Sequence, residues 1–133
     1  MNTNDEMVTC FQQQVLRQRR PSLGLPPEKD FKLYLNLMRE ELQELEDAYN
    51  AQDLVAYADA LIDTDYAHKG LVFRSGIRVK KYNLMFKAVH HANMQKNAGI
   101  TDRSPPPVND AIKPKGWIGP EDKLHMILFN EVP

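Results

Sequence analysis

The stretch Leu35-Asn36-Leu37-Met38-Arg39-Glu40-Glu41-Leu42-Gln43-Glu44-Leu45-Glu46-Asp47-Ala48-Tyr49 decides how this chain reads. Leu35, Met38, Leu42, Leu45 and Tyr49 recur at spacings of three, four, three and four, the period of an α-helical bundle seam. On the same helix Glu40 and Glu44 lie four apart and Glu41 and Glu44 three apart, so their side chains converge. Leu33 and Leu37 lead into these acids, so an apolar stripe turns into a carboxylate stripe partway along. A second acidic pair, one helical turn apart, follows in Asp59-Ala60-Leu61-Ile62-Asp63. If the two helices face each other, four or five carboxylates converge inside a bundle.

Working outward, this helix is expected over residues 28–49, followed by the turn Asn50-Ala51-Gln52-Asp53 with Asp53 as N-cap of the next. That third helix carries Leu54, Val55, Ala58, Leu61 and Ile62 and continues past Tyr66, with Gly70 and Gly76 loosening its end. Upstream, a first helix over residues 5–18 buries Val8, Phe11 and Val15. Pro21-Ser22-Leu23-Gly24-Leu25-Pro26-Pro27 then forbids regular helix. Downstream, a fourth helix over residues 79–97 buries Leu84, Met85, Ala88 and Val89, and Gly99 stops it. A proline-punctuated tail follows, with a short last helix over residues 121–129 and no clear strand. Short loops between the second, third and fourth helices predict antiparallel neighbours.

Bulk properties set the outer bounds. With 133 residues, 42% hydrophobic and 26% charged, the chain fits one domain, residues 1–133, with a small core. Its net charge of -1 offers no overall attraction to nucleic acid or to a membrane surface. A single cysteine, Cys10, excludes an internal disulfide framework and fits a reducing cytoplasm. The polar, acidic start Met1-Asn2-Thr3-Asn4-Asp5-Glu6 is unlike a signal peptide, and no apolar run reaches membrane-spanning length.

Carboxylates that close must be protonated, solvated or bridged by a cation. Oxygen donors without cysteine or a suitably spaced histidine pair favour Mg²⁺ or Mn²⁺ over Zn²⁺. Magnesium on protein carboxylates commonly shares its shell with substrate phosphates, which points to metal-assisted attack of water on a phosphoanhydride. An E-E-x-x-E run also fits a solvated helix face. The aspartates at helical spacing on the next helix bring the metal site about level with that reading.

The whole segment resembles the all-α NTP pyrophosphatase superfamily, which includes MazG-like proteins, dimeric dUTPases and phosphoribosyl-ATP pyrophosphohydrolases. Its pattern is E-E-x-x-E on one helix and E-x-x-D on the next. The first half is complete in Glu40-Glu41-x-x-Glu44; in the second, Ala60 takes the first acidic position, Asp63 keeps the last, and Asp59 supplies the acid one residue earlier. This arrangement is most similar to phage-type stand-alone MazG-like proteins. Val89-His90-His91-Ala92-Asn93-Met94-Gln95-Lys96 is similar to the superfamily's V-H-x-x-N-M-x-K segment, and Lys113-Pro114-Lys115-Gly116-Trp117 to its closing K-x-x-x-W turn.

The resemblance implies a four-helix bundle-like fold completed by dimerisation or higher homo-oligomerisation, with a proline-rich C-terminal tail. It implies Glu41, Glu44, Asp59 and Asp63 as metal ligands and Glu40 as the residue that orients or activates water. Asn93 and Lys96 would contact the sugar or phosphates of a nucleoside triphosphate. The implied reaction is Mg²⁺-dependent hydrolysis of a (d)NTP to the monophosphate and pyrophosphate in the cytoplasm, the host's if the chain is phage-encoded. Ala60 keeps open a second reading, an inactive helical interaction protein of the same fold. A phosphoribosyl-ATP hydrolase is the third.

Overall fold

The computed structural model describes residues 3–130, so Met1 and Asn2 of the polar N-terminal stretch lie outside the described residues. The elements are α1 (Asn4–Gln14), α2 (Glu28–Asn50), α3 (Leu54–Arg74), α4 (Val79–Asn93), β1 (Asn97–Gly99), β2 (Asp110–Ile112) and α5 (Glu121–Phe129). The protein is predominantly helical, as an all-α MazG-like fold requires. Its contacts divide into two compact units, one ending at Arg78 and the other beginning at Val79.

In the first unit, α1 and α2 both pack on α3. Helix α1 opens with a capping box: the Thr3 hydroxyl accepts from the Glu6 amide and the Glu6 carboxylate from the Thr3 amide. It ends at Gln14 rather than 18, which leaves Val15 61% exposed while Val8 is buried. Asp53 caps α3 as expected, its Oδ1 accepting the Ala56 amide at 3.1 Å.

Gly70 does not loosen α3; it sits buried within the helix. The helix stops at Gly76, whose φ of +68° is the left-handed conformation glycine adopts without penalty. The Gly76 amide bonds to Phe73 O and the Ile77 amide to Val72 O, the paired bonds of a Schellman stop.

Across the first unit runs a buried polar chain. Gln12, 1% exposed, donates Nε2 to the Tyr34 hydroxyl and accepts Arg74 Nε at 2.8 Å, and Arg74 Nη1 reaches Asp30 Oδ2 at 3.1 Å. Each buried group has a partner, so the chain links all three helices without the cost of an orphan.

In the second unit α4 packs with α5, and β1 pairs antiparallel with β2, Ala98 opposite Ala111. This hairpin was not foreseen in the sequence. It takes the backbone of Asn97–Gly99, so α4 ends at Asn93 instead of running to 97. Arg103 and Thr101 hydrogen-bond the Asp110 carboxylate, tying the loop between the strands to β2. Trp117 pins the proline-rich segment to α4, its Nε1 donating to Ala92 O at 2.8 Å.

Candidate metal centre

The long amphipathic pattern of α2 and the capped start of α3 make an antiparallel pair joined by a tight turn, with Ala48 and Ala60 buried. Small side chains there let the helices approach closely. Within this pair, Glu41, Glu44 and Asp63 each place a carboxylate oxygen within 4.8 Å of the others. Glu41 Oε2 is buried and has no hydrogen-bond partner among the described residues. A buried acceptor without a donor costs free energy, and a proton or a cation at this oxygen would offset that cost.

The electrostatics agree. The Glu41 carboxyl is pushed up from 4.5 to about 6. Burial is the largest cause, followed by the charges of Glu44 and Asp63, a side-chain hydrogen bond with Glu44, and the charge of Asp59. A carboxyl raised to about 6 keeps its proton only below that pH, and above it the neighbouring charges oppose its own; an oxygen-only donor set fits a hard divalent ion that would offset them.

The expected site residues fall into three groups. Glu41, Glu44 and Asp63 come together. Asp59 lies outside this tightest group, exposed one turn before Asp63, where its charge still acts on Glu41. It shares a hollow of about 350 Å³ with Glu44, Asp47 and Asp53, floored by Ala48, Ala51 and Ala56. Glu40 is exposed and outside the cluster, because adjacent helical residues point about 100° apart.

Asn93 and Lys96 belong to the second unit. They do not share a helical face, since α4 ends at Asn93 and the Lys96 amide closes a turn onto Asn93 O at 3.0 Å. The Lys96 ammonium lies 5.0 Å from the centre of the Trp117 ring, as does that of Lys113. Asp47 and Asp53 also line the acidic hollow, the second while capping α3. The spacing of Asp47, three residues after Glu44 on α2, is a local signal for the first; the second enters through the turn that joins α2 to α3.

Three carboxylates from two antiparallel helices, one with an unpartnered buried oxygen, give this predominantly helical protein a cluster that could hold a hard cation. The family model for phosphoribosyl-ATP pyrophosphohydrolase matches residues 6–93, and the chain belongs to that family, part of the MazG-like NTP pyrophosphatase superfamily. The family's reaction class is hydrolysis of a nucleotide phosphoanhydride with release of pyrophosphate. The match includes every residue of the carboxylate cluster and Asn93 but stops before Lys96. A comparison with curated proteins gives no match.

Proposed function

We propose that this chain is a Mg²⁺-dependent nucleoside triphosphate pyrophosphohydrolase that converts a (d)NTP and water to the (d)NMP and pyrophosphate. The observation that carries the reading is the buried, unpartnered Oε2 of Glu41 beside Glu44 and Asp63. Glu41, Glu44 and Asp63 would hold the ion, with Asp59 completing the set from the next turn. Bound there, Mg²⁺ or Mn²⁺ would neutralise the triphosphate and polarise the scissile linkage. Glu40, exposed beside the cluster, accepts a proton from the attacking water and orients it. The water oxygen bonds to the α-phosphorus, the bond to the bridging oxygen breaks, and pyrophosphate leaves. Asn93 and Lys96 would contact the sugar or phosphates, as the resemblance implies.

The same reading takes residues 1–133 as one functional domain working as a homodimer or higher homo-oligomer in the cytoplasm. Its support is a set of apolar side chains left in solvent on α2 and α3: Leu42, Tyr49, Val55 and Ile62 are 53%, 72%, 81% and 64% exposed. That apolar surface suits a protein partner. No helix among the described residues is long and apolar enough to cross a membrane. A phage setting, in which the enzyme reshapes a host nucleotide pool, follows the similarity of the Asp59/Ala60 variant to phage-type proteins.

Ala60 favours a second reading, an inactive interaction protein of the same fold. It is 2% exposed, so a small buried side chain stands where the superfamily pattern carries an acid. Pyrophosphate release with Mg²⁺ across a panel of dNTPs, NTPs and phosphoribosyl-ATP separates the readings. Turnover of a (d)NTP supports the proposal, turnover of phosphoribosyl-ATP alone moves the substrate to the family's namesake, and no turnover at high enzyme supports the inactive protein.

A further inference from the structure

The residues that meet between α2 and α3 share one register. Asp30 pairs with Arg74, Tyr34 abuts Gly70 and Glu41 faces Asp63. Four and then seven residues forward along α2 are matched by four and then seven back along α3. Two antiparallel helices with equal rise per residue must behave this way once a single contact is set.

One contact has no slack. A Cβ on Gly70 would lie 2.5 Å from Tyr34 Cε1, 3.0 Å from Tyr34 Cζ and 3.0 Å from Gln12 Nε2. Glycine inside a helix is unfavourable relative to alanine, so a buried one needs a packing reason. Moving the ring aside to admit a methyl group would break its hydroxyl's bond to Gln12, which is itself held by Arg74.

We propose that the Gly70–Tyr34 contact, braced by Gln12, is the register pin of the carboxylate site. Tyr34 lies seven residues before Glu41, and Gly70 seven after Asp63, so the pin sits roughly 10.5 Å from the cluster on both helices. Helices of this length transmit a displacement over two turns nearly undiminished. A shift at Gly70 therefore spreads the oxygens of Glu41 and Glu44 from those of Asp63. Gly70, Tyr34 and Gln12 are positioning residues, acting on the cluster through helix placement. The functional consequence rests on the carboxylates holding a cation; the register does not.

The test uses the full chain with Cys10→Ser and spin labels on Glu46→Cys and Ala58→Cys, two exposed positions at one level of this register, between the cluster and the turn. The interlabel distance is measured without metal, and Mn²⁺ affinity is measured on the unlabelled protein. Gly70→Ala should lengthen or broaden the distance distribution and weaken Mn²⁺ binding at least tenfold. Adding Tyr34→Leu, which removes the ring edge, should bring both back toward the values of Tyr34→Leu alone. Parent-like distance and affinity in Gly70→Ala, or a change that Tyr34→Leu fails to reverse, overturns the proposal. If Gly70→Ala alone does not fold, a folded double variant with the Tyr34→Leu distance supports the pin, and failure of both overturns it. Should the parent bind no Mn²⁺, the cation reading falls and the distance arm still decides the register.

Discussion

Replacing Glu41 by glutamine should stabilise the metal-free protein at pH 8 and remove its response to metal. In the folded chain the Glu41 carboxyl is raised from 4.5 to about 6, chiefly by burial and by the charges of Glu44 and Asp63. The folded state thus holds this proton more tightly than the unfolded state does. Stability linked to Glu41 is full below about 4.5, declines as pH rises through 6, and stays low above it.

The rise corresponds to about 2 kcal/mol, and solvent screening around a half-buried group brings the expected effect nearer about 1 kcal/mol. Glutamine keeps the shape, removes the charge and supplies donors toward the neighbouring carboxylates. The variant's unfolding midpoint at pH 8 should therefore rise by roughly 4 °C, with little of that difference left at pH 4.5. Adding Mg²⁺ or Mn²⁺ should raise the parent's midpoint and leave the variant's nearly unchanged, reversing their order. Differential scanning calorimetry at both pH values, with and without metal, reads all four conditions. A metal-free variant less stable than the parent at pH 8, or one that keeps the metal-dependent rise, refutes the reasoning.

Asp63→Asn should lower the rate of pyrophosphate release at least a hundredfold and abolish the metal-induced midpoint rise, whereas Glu40→Gln should cut kcat and leave Mn²⁺ affinity unchanged; titration calorimetry and steady-state kinetics distinguish them. Gln12→Leu leaves Arg74 Nε and the Tyr34 hydroxyl without their buried partner and should cost about 2–3 kcal/mol in urea unfolding. Asp53→Ala removes the cap on the Ala56 amide and should cost about 1 kcal/mol by the same measurement.

The α2 and α3 helices were legible because their information is local. Apolar spacing, a capping aspartate and the three-and-four spacing of acids all act within a few turns of one chain. The hairpin of Asn97–Gly99 with Asp110–Ile112 was not, because neither three-residue strand has alternation to display. Each exists through the other, and Arg103 closes the loop on Asp110. The same competition ended α4 early and separated Lys96 from the helical face of Asn93. Gly70 was misread for a related reason: a glycine near a helix end resembles a stop until the ring that fills its place is known.

The carboxylate cluster divides along that line. Residue spacing alone determined that Glu41 and Glu44 share one side of α2, and that Asp59 and Asp63 are one turn apart on α3, since helical geometry is the same in any context. Which acids meet was decided by the tertiary structure. The register between α2 and α3 depends on contacts such as Tyr34 with Gly70 and Arg74 with Asp30, made between residues far apart in the chain. That register brings Asp63 to Glu41 and Glu44, leaves Asp59 a turn away, and buries one oxygen of Glu41 without a donor. Spacing along one helix places acids on a side, but only the packing of two helices brings carboxylates from both within reach of one ion.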